Sequence, residues 1–226
     1  MGNSRLKNSA LNFASGFLGR VLTILLSFAV RTIFIHCLNE AYLSVNGLYS
    51  NILTVLSLAE LGFGSAMVYR MYAPVAVKDY QQTAALLHFY KKIYAIIGAV
   101  IFGLGLCVIP FMDYIIKDKP DVSGLTLYYI LFLINTTLSY WFASYKASVL
   151  YADQKEYIKT NVQNATSILQ SALQIVLLII FRKYLLYLLV QLGCNIILNL
   201  YVAHLVDKRY PQIREYRDAR LTSDER

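Results

Sequence analysis

The sequence is poor in the residues that metal sites, disulfide frameworks and catalytic centres need. Its 226 residues include three cysteines and three histidines, and neither set has the spacing of metal ligands. Cys37, Cys107 and Cys194 are predicted to be buried free thiols, because their number is odd and they lie in or beside separate apolar segments. No Walker loop, nucleophile elbow or zinc motif is present in the sequence. We therefore expect no cofactor, no metal and no enzymatic activity.

Charged residues are also scarce. They make up 15% of the chain, whereas 58% of it is hydrophobic and the mean hydropathy is positive. One soluble core of this size cannot bury so much apolar surface. The alternation of apolar and polar residues that a transmembrane β-barrel requires is missing as well. The chain is therefore predicted to be an all-α, polytopic membrane protein.

Six apolar stretches are long enough to cross about 30 Å of hydrocarbon as helices. These predicted spans are residues 12–36, 45–69, 93–116, 125–150, 163–181 and 184–205. They form a six-helix transmembrane lobe over residues 1–206, followed by a basic tail over residues 207–226. The first stretch is interrupted by two arginines and lacks a convincing cleavage site, so we expect it to remain as a helix rather than to act as a removed signal.

Lysine and arginine are distributed unevenly between the predicted connections. Fifteen of the 21 lie at the amino terminus, in the second and fourth connections and in the tail, whereas four lie in the third and fifth connections. The positive-inside rule then places both termini in the cytoplasm. We attribute the net charge of +8 to this topology and to anionic membrane lipid rather than to nucleic acid, because no aromatic-rich basic module is present.

Two arginines interrupt the first predicted span. Arg20 and Arg31 are eleven residues apart, and eleven steps of about 100° return a helix to within about 20° of its starting direction. Both side chains are therefore expected on one face. Because an arginine inside a membrane is costly, the pair indicates a cationic, water-accessible cavity. The alternative is that each arginine snorkels to one headgroup layer.

The first two spans are predicted to pack as a hairpin with a turn near Ala41. Counted from that turn, Arg20 and Glu60 lie at similar depths in the two helices. By the same count, Arg31 and Asn51 also lie at similar depths. Polar stripes on the two helices are therefore expected to line a crevice between them.

Glu60 is an acidic residue within the second span. Two roles stay open: it neutralises Arg20, or it also takes part in proton or cation coupling, as intramembrane carboxylates often do. Ser57 lies on the same polar side of the helix. Gly62 and Gly64 follow directly, and they predict close helix packing or a local break near the cytoplasmic end.

Polar side chains also follow one face of the fifth and sixth spans. In the fifth, Gln163, Gln170 and Gln174 share a stripe with Ser167 on an otherwise apolar helix. Hydrogen bonding between helices explains such a stripe, and a lining that binds sugar hydroxyls needs the same chemistry. The sixth span has amides at every fourth position, namely Gln191, Asn195 and Asn199.

The second span carries a sequence similar to that of a known family. Residues 42–53, YLSVNGLYSNIL, and residues 58–66, LAELGFGSA, resemble the second-helix signature of bacterial polysaccharide transporters. These are the Wzx-type O-antigen and polysaccharide flippases of the multidrug/oligosaccharidyl-lipid/polysaccharide exporter superfamily. The early arginine of the first helix and the connection over residues 69–79 fit the same family. The resemblance is specific over residues 1–92 and general beyond them.

This resemblance implies a transporter of the bacterial cytoplasmic membrane. It would move undecaprenyl-pyrophosphate-linked oligosaccharide to the outer leaflet for capsule, exopolysaccharide or lipopolysaccharide biosynthesis. Family members have two lobes around a cationic cavity and are coupled to ion gradients or lipid potential rather than to ATP. Arg20 and Arg31 would then bind pyrophosphate or acidic sugars. The other cavity residues expected are Asn51, Ser57, Glu60, Gln163, Gln170 and Gln174.

Six helices resemble only the amino-terminal lobe of such a transporter. Alternating access between two lobes needs the second one, so we expect a truncated reading frame, half of a split transporter that pairs with another chain, or a homodimer. The strong charge bias argues against an antiparallel, dual-topology pair. Two other classes stay open. They are a noncatalytic membrane partner subunit and, ranked last because the connections are short, a membrane-embedded enzyme acting on lipid-linked sugars.

Overall fold

All regular structure in the described part of the chain is helical. The structure is a computed structural model that describes residues 2–60, 62–115, 124–142, 144–216, 219 and 221. Its α-helices are α1 (Gly2–Leu38), α2 (Glu40–Ser57), α3 (Phe63–Val77), α4 (Tyr80–Val108), α5 (Met112–Ile115), α6 (Leu125–Trp141), α7 (Ala147–Ala152), α8 (Glu156–Phe181) and α9 (Tyr184–Arg209). Short 3₁₀ turns cover Leu58–Glu60, Ile109–Phe111, Ser144–Lys146 and Pro211–Tyr216. The described residues contain no β-strand, so the all-α prediction is confirmed.

Four helical segments within the described residues are long and apolar enough to cross a membrane. The first is Lys7–Leu38 of α1, and the second is Tyr80–Phe111, which consists of α4 and the turn after it. The third and fourth are α8 and α9. A fifth results if α6 and Ser144–Ala152 form one span across a bend of 44°. By length and composition these helices are compatible with a membrane protein. Six spans are not found among the described residues.

The predicted span over residues 45–69 is divided in the structure. α2 ends at Ser57, a 3₁₀ turn covers Leu58–Glu60, and α3 begins only at Phe63. Between them, Gly62 has a φ of 91°, a left-handed conformation that interrupts an α-helix and that favours glycine. A local break at the glycine thus replaces one continuous transmembrane helix.

The third and fifth predicted spans begin earlier than expected, and the fourth is bent. α4 begins at Tyr80 because the Asp79 carboxylate accepts a hydrogen bond of 2.9 Å from the backbone amide of Gln82 and so caps the helix. α8 begins at Glu156, and the fourth span bends after Trp141. The predicted span and charge positions outside the described residues are Leu61, Ile116, Lys117, Lys119, Ala143, Arg217, Arg220 and Arg226.

The helices pack in the order α1, α8, α9, α6 and α4, while α3 contacts α7 and α4. α1 approaches α8 so closely that a Cβ on Gly19 would lie 2.3 Å from Oδ1 of Asn164. The Asn164 amide donates to the Ser15 carbonyl at 3.2 Å, and the Asn12 side chain accepts from the Tyr157 amide at 2.7 Å. α1 therefore packs mainly along α8 and contacts α2 less extensively, which corrects the predicted hairpin in part.

Two apolar clusters fill the two ends of the bundle. α9 shows their separation, because it contributes Tyr184 to the first cluster and Val202 to the second, about 27 Å further along the helix. α2 contributes Tyr49 to the first cluster and α3 contributes Met71 to the second. The broken segment α2–α3 therefore joins the two ends of the bundle.

Part of the predicted tail folds back onto the helices. The turn Pro211–Tyr216 contacts α4, and Leu221 is buried in the second cluster. Nδ1 of His88 donates toward the carbonyl oxygen of Ala219 at 3.2 Å. Ile213 also packs against the second cluster. These isolated apolar side chains explain why a segment with mostly polar residues contacts the bundle.

All three cysteines are free thiols, but their burial differs. Cys194 is buried, as predicted, and Cys37 is half-buried. Cys107 is exposed on α4, so the prediction of burial is wrong for this residue. An apolar helix of a membrane protein has a face directed away from the protein core, and Cys107 lies on such a face.

Candidate functional site

A polar cavity of about 340 Å³ lies between α1, the beginning of α2, α8 and the beginning of α9. Among the described residues that line it, Arg31 is the one cation and none is acidic. The cavity therefore combines a positive charge with many hydrogen-bonding groups. Its polar lining consists of Thr23, Ser27, Arg31, Asn46, Ser167, Gln170, Ser171, Gln174 and Tyr187.

α1 contributes three polar residues at intervals of four. Thr23, Ser27 and Arg31 line the cavity together, because residues at this spacing share a helix face. The Arg31 side chain is exposed, and it makes no hydrogen bond or ion pair with another described residue. Its five N–H donors are therefore available to a ligand.

α8 contributes two glutamines with different surroundings. Gln174 is 2% exposed, and its Nε2 donates a hydrogen bond of 3.3 Å to the carbonyl oxygen of Tyr187 on α9. This bond holds α8 against α9 at the wall of the cavity. Gln170 is half-buried and has no hydrogen-bond partner among the described residues. Its carboxamide is therefore available both to donate and to accept.

α2 closes the cavity with Asn46. The Asn46 Oδ1 accepts a hydrogen bond of 3.1 Å from the Tyr184 hydroxyl. Tyr184 is 2% exposed and packs edge-on against Phe34, with ring centroids 5.7 Å apart. The position of Asn46 is therefore determined by a packed aromatic neighbour, and its Nδ2 group stays available as a donor.

The structure brings together part of the predicted site. Arg20 is exposed and lies one turn before Thr23, about 4.5 Å along the axis of α1, and it is not among the described lining residues. Gln163 is exposed and lies one turn before Ser167, also outside that lining. The predicted residues that share the cavity are Arg31, Gln170 and Gln174.

Six of the described polar lining residues were absent from the predicted site, namely Thr23, Ser27, Asn46, Ser167, Ser171 and Tyr187. The first five lie on or beside the predicted polar stripes, so the helical period was a signal for them. Tyr187 lies in an apolar stretch at the beginning of α9. The sequence carries no signal for Tyr187, because its position depends on how α9 packs.

The two residues predicted on the polar side of α2 lie elsewhere. Ser57 lines a second cavity of about 290 Å³, together with Asn135 of α6 and Gln191 of α9. Its hydroxyl donates to the carbonyl oxygen of Leu53 at 2.8 Å. Asn51 is exposed and is not among the described residues that line either cavity.

Glu60 has a tyrosine partner instead of the predicted Arg20. The Tyr140 hydroxyl donates to Oε2 of Glu60 at 2.5 Å. Tyr94 packs against Tyr140 with ring centroids 5.9 Å apart. The predicted neutralisation of Arg20 is wrong, because α1 lies along α8 whereas Glu60 lies beside α4 and α6.

The amides of the sixth predicted span join α9 to α6. Nδ2 of Asn195 donates to the carbonyl oxygen of Asn135 at 2.8 Å, and Ser139 donates to Oδ1 of Asn195 at 3.2 Å. One turn further, the Ser144 hydroxyl donates to Oδ1 of Asn199 at 2.7 Å. For Asn195 and Asn199, hydrogen bonding between helical segments is therefore confirmed.

Comparison with protein-family models, with curated protein sequences and with solved structures finds no match to this chain. The function of the chain is therefore interpreted from the chemical properties of the cavity between α1 and α8.

Proposed function

We propose that the chain is one lobe of a flippase that moves lipid-linked oligosaccharide across the bacterial cytoplasmic membrane. The observation that carries the proposal is the cavity in which Arg31 of α1 lies with Asn46 of α2 and Gln170 of α8. The resemblance of residues 42–66 to polysaccharide transporters supports the same function. The substrate of this proposal is an undecaprenyl-pyrophosphate-linked glycan for capsule, exopolysaccharide or O-antigen.

The lining suits both chemical parts of this substrate. A guanidinium binds phosphate oxygens through its charge and its forked donors, and Arg31 has no competing partner among the described residues. Carboxamides donate and accept hydrogen bonds, so Gln170 and Asn46 are suited to sugar hydroxyls. No bond is made or broken when a lipid changes leaflets. The proposed transport therefore needs binding and movement, without a catalytic group.

One lobe supplies one wall of a transport path. Arg31 and Ser27 are exposed, so the cavity has an open side. In this proposal a second lobe, from another chain or from a second copy of this one, covers that side and access alternates between the two leaflets. Large apolar side chains of α1, such as Phe13 and Phe28 with exposed fractions of 76% and 75%, then contact lipid or the second lobe.

The proposed orientation follows from the charge distribution. The end of the bundle with the second apolar cluster carries Lys78, Lys155 and Arg209. Lysine and arginine are enriched on the cytoplasmic side of membrane proteins. We therefore propose that this end and both termini face the cytoplasm.

A noncatalytic membrane partner subunit is the second candidate. The exposed apolar face of α1 favours it, because Phe17 and Leu25 are 59% and 63% exposed on a helix that packs along α8. Such a face is suited to contact with another membrane protein as well as with lipid. In this alternative the chain stabilises its partner and the Arg31 cavity is not a transport path.

A flipping assay in reconstituted vesicles separates the two candidates. The vesicles contain the purified chain and a fluorescent undecaprenyl-pyrophosphate oligosaccharide, and an impermeant quencher added outside reports the substrate that reaches the outer leaflet. We expect the wild-type chain to exceed protein-free vesicles. Arg31→Gln is expected to lower the rate about tenfold or more, because a hydrogen bond to a charged group contributes about 1.5–3 kcal/mol.

Arg182→Gln is the matched control, since Arg182 is an exposed arginine at the end of α8 outside the cavity lining. It is expected to flip substrate at the wild-type rate. Equal rates for wild type and Arg31→Gln contradict the proposed path. Wild-type vesicles that do not exceed protein-free vesicles overturn the form of the proposal in which a second copy supplies the other lobe. The partner subunit and a second lobe from another chain are then the two candidates.

A further inference from the structure

We propose that a second, separate site on this chain binds the phosphate headgroup of an anionic glycerophospholipid. The site is a cavity of about 350 Å³ where the beginning of α4, the end of α9 and the turn Pro211–Tyr216 meet. Among its described lining residues, the cations Lys91, Lys146 and Arg214 accompany a single carboxylate, that of Asp207. This inference does not depend on the function proposed for the Arg31 cavity.

The site keeps a positive charge after its internal ion pair is counted. Nζ of Lys146 lies 2.6 Å from Oδ2 of Asp207, so these two charges compensate each other. Lys91 and Arg214 are exposed and make no hydrogen bond or ion pair with another described residue. Two cationic groups therefore remain for a ligand, as in basic pockets that bind anionic lipid headgroups.

The cavity lies where a lipid headgroup is expected. Val206 in the last turns of α9 lines it, and so do Tyr210, which directly follows α9, and Tyr145, which lies in the turn Ser144–Lys146. Tyrosine is enriched at membrane interfaces because its ring is apolar and its hydroxyl is polar. The Lys91 side chain is long enough to reach from an apolar helix to the headgroup layer.

A mostly apolar groove continues from the basic cavity along α4. A neighbouring cavity of about 310 Å³ shares His88 with it and is lined by Phe89, Ile93 and Ile96, together with the cation Lys92. Ile96 is 63% exposed, and Leu221 lines the other side of the groove. The groove therefore leads from the charged end of α4 toward the middle of the helix.

This continuity favours a phospholipid over a free anion. A glycerophospholipid places its phosphate in the basic cavity and an acyl chain in the groove, where burial of apolar surface adds to the binding free energy. Inorganic phosphate satisfies only the basic cavity. We therefore assign the site to a lipid with a net negative headgroup, such as phosphatidylglycerol.

Native mass spectrometry of the full chain in detergent tests the assignment. The probes are dioleoyl-phosphatidylglycerol, dioleoyl-phosphatidylcholine, dihexanoyl-phosphatidylglycerol and inorganic phosphate. Wild type is expected to retain dioleoyl-phosphatidylglycerol in preference to the other three. Lys91→Gln is expected to weaken its binding about fivefold, and the double variant Lys91→Gln/Arg214→Gln about 25-fold, on the basis of the attraction of one basic residue to an anionic surface.

Lys208→Gln is the matched control, because Lys208 is an exposed lysine of α9 that does not line the cavity. It is expected to bind dioleoyl-phosphatidylglycerol like wild type.

Equal retention of phosphatidylcholine and phosphatidylglycerol by wild type overturns the assignment. Binding by the folded double variant at the wild-type level also overturns it. Displacement of the long-chain lipid by an equal concentration of inorganic phosphate identifies a free-anion site and overturns the assignment. Displacement by the dihexanoyl lipid shows that the acyl chain adds nothing to binding, and it also overturns the assignment. The comparison of probes on wild type decides the question even if the double variant does not fold.

Discussion

The Tyr140 hydroxyl of α6 donates a hydrogen bond of 2.5 Å to the Glu60 carboxylate, in the turn between α2 and α3. The two residues are 80 positions apart, so the bond joins the broken second segment to a helix of the main bundle. A carboxylate among apolar helices is costly unless donors satisfy it. The pair therefore explains how the chain accommodates both a helix break and an acidic side chain at this depth.

Removing this donor is expected to destabilise the protein. Tyr140→Phe removes this donor from the Glu60 carboxylate and is expected to lower the free energy of unfolding by about 1–3 kcal/mol. Thermal unfolding in detergent measures the effect. Tyr201→Phe is the control, because Tyr201 is 51% exposed and has no hydrogen-bond partner among the described residues. An unchanged midpoint for Tyr140→Phe shows that the bond contributes nothing to the fold.

The left-handed residue between α2 and α3 gives a second prediction. Gly62 has a φ of 91°, and a Cβ in this conformation costs about 1–2 kcal/mol. Gly62→Ala is therefore expected to lower the thermal unfolding midpoint. Gly103→Ala, within α4 and with no atom within 4 Å of the added Cβ, is expected to be neutral or stabilising by up to about 1 kcal/mol. Equal effects of the two substitutions contradict the assigned break.

Tyr210 makes stability depend on alkaline pH. Burial, together with the hydrogen bond that its hydroxyl donates to Asp153 and the charge of that carboxylate, raises the pKa of Tyr210. In the unfolded chain a tyrosine ionises near about pH 10. The folded protein thus holds the proton more tightly, so the stability from Tyr210 is complete below about pH 10 and is lost as the pH rises toward the folded pKa.

Unfolding of wild type and Tyr210→Phe at about pH 8 and about pH 11 measures this contribution. Wild type is expected to lose more stability between the two pH values, because the phenylalanine variant has no hydroxyl to ionise. An equal loss in both proteins shows that Tyr210 does not cause the pH dependence.

The polar faces of α1 and α8 are predictable from residue spacing. Ser27 and Arg31 are four residues apart, as are Gln170 and Gln174, and the helical period places each pair on one face. That the two polar faces meet is not predictable in this way. The spacing of polar residues shows which side of a helix is polar, but it does not show which other helix packs against that side. The sequence therefore identifies part of the cavity but assigns α1 to α2 rather than to α8 as its main partner helix.

The division of the second predicted span has a different physical cause. Average hydropathy counts the apolar residues on both sides of Gly62 and therefore predicts one continuous span. The glycines themselves indicate a local break as one of two possibilities, and the left-handed φ of Gly62 bears this out. Likewise, the contact of the tail with the bundle depends on Ile213 and Leu221, two apolar residues among charged ones. A few local contacts, rather than average composition, determine these parts of the fold.

The affinity of the purified chain for undecaprenyl pyrophosphate tests the central claim most directly. It is measured for wild type, Arg31→Gln, Arg20→Gln and Arg182→Gln in the same detergent. The cavity predicts that Arg31→Gln weakens binding about tenfold or more, whereas the other two variants, whose arginines lie outside the lining, stay within about twofold of wild type. Equal affinities of wild type and Arg31→Gln would contradict the claim that this cavity binds the pyrophosphate.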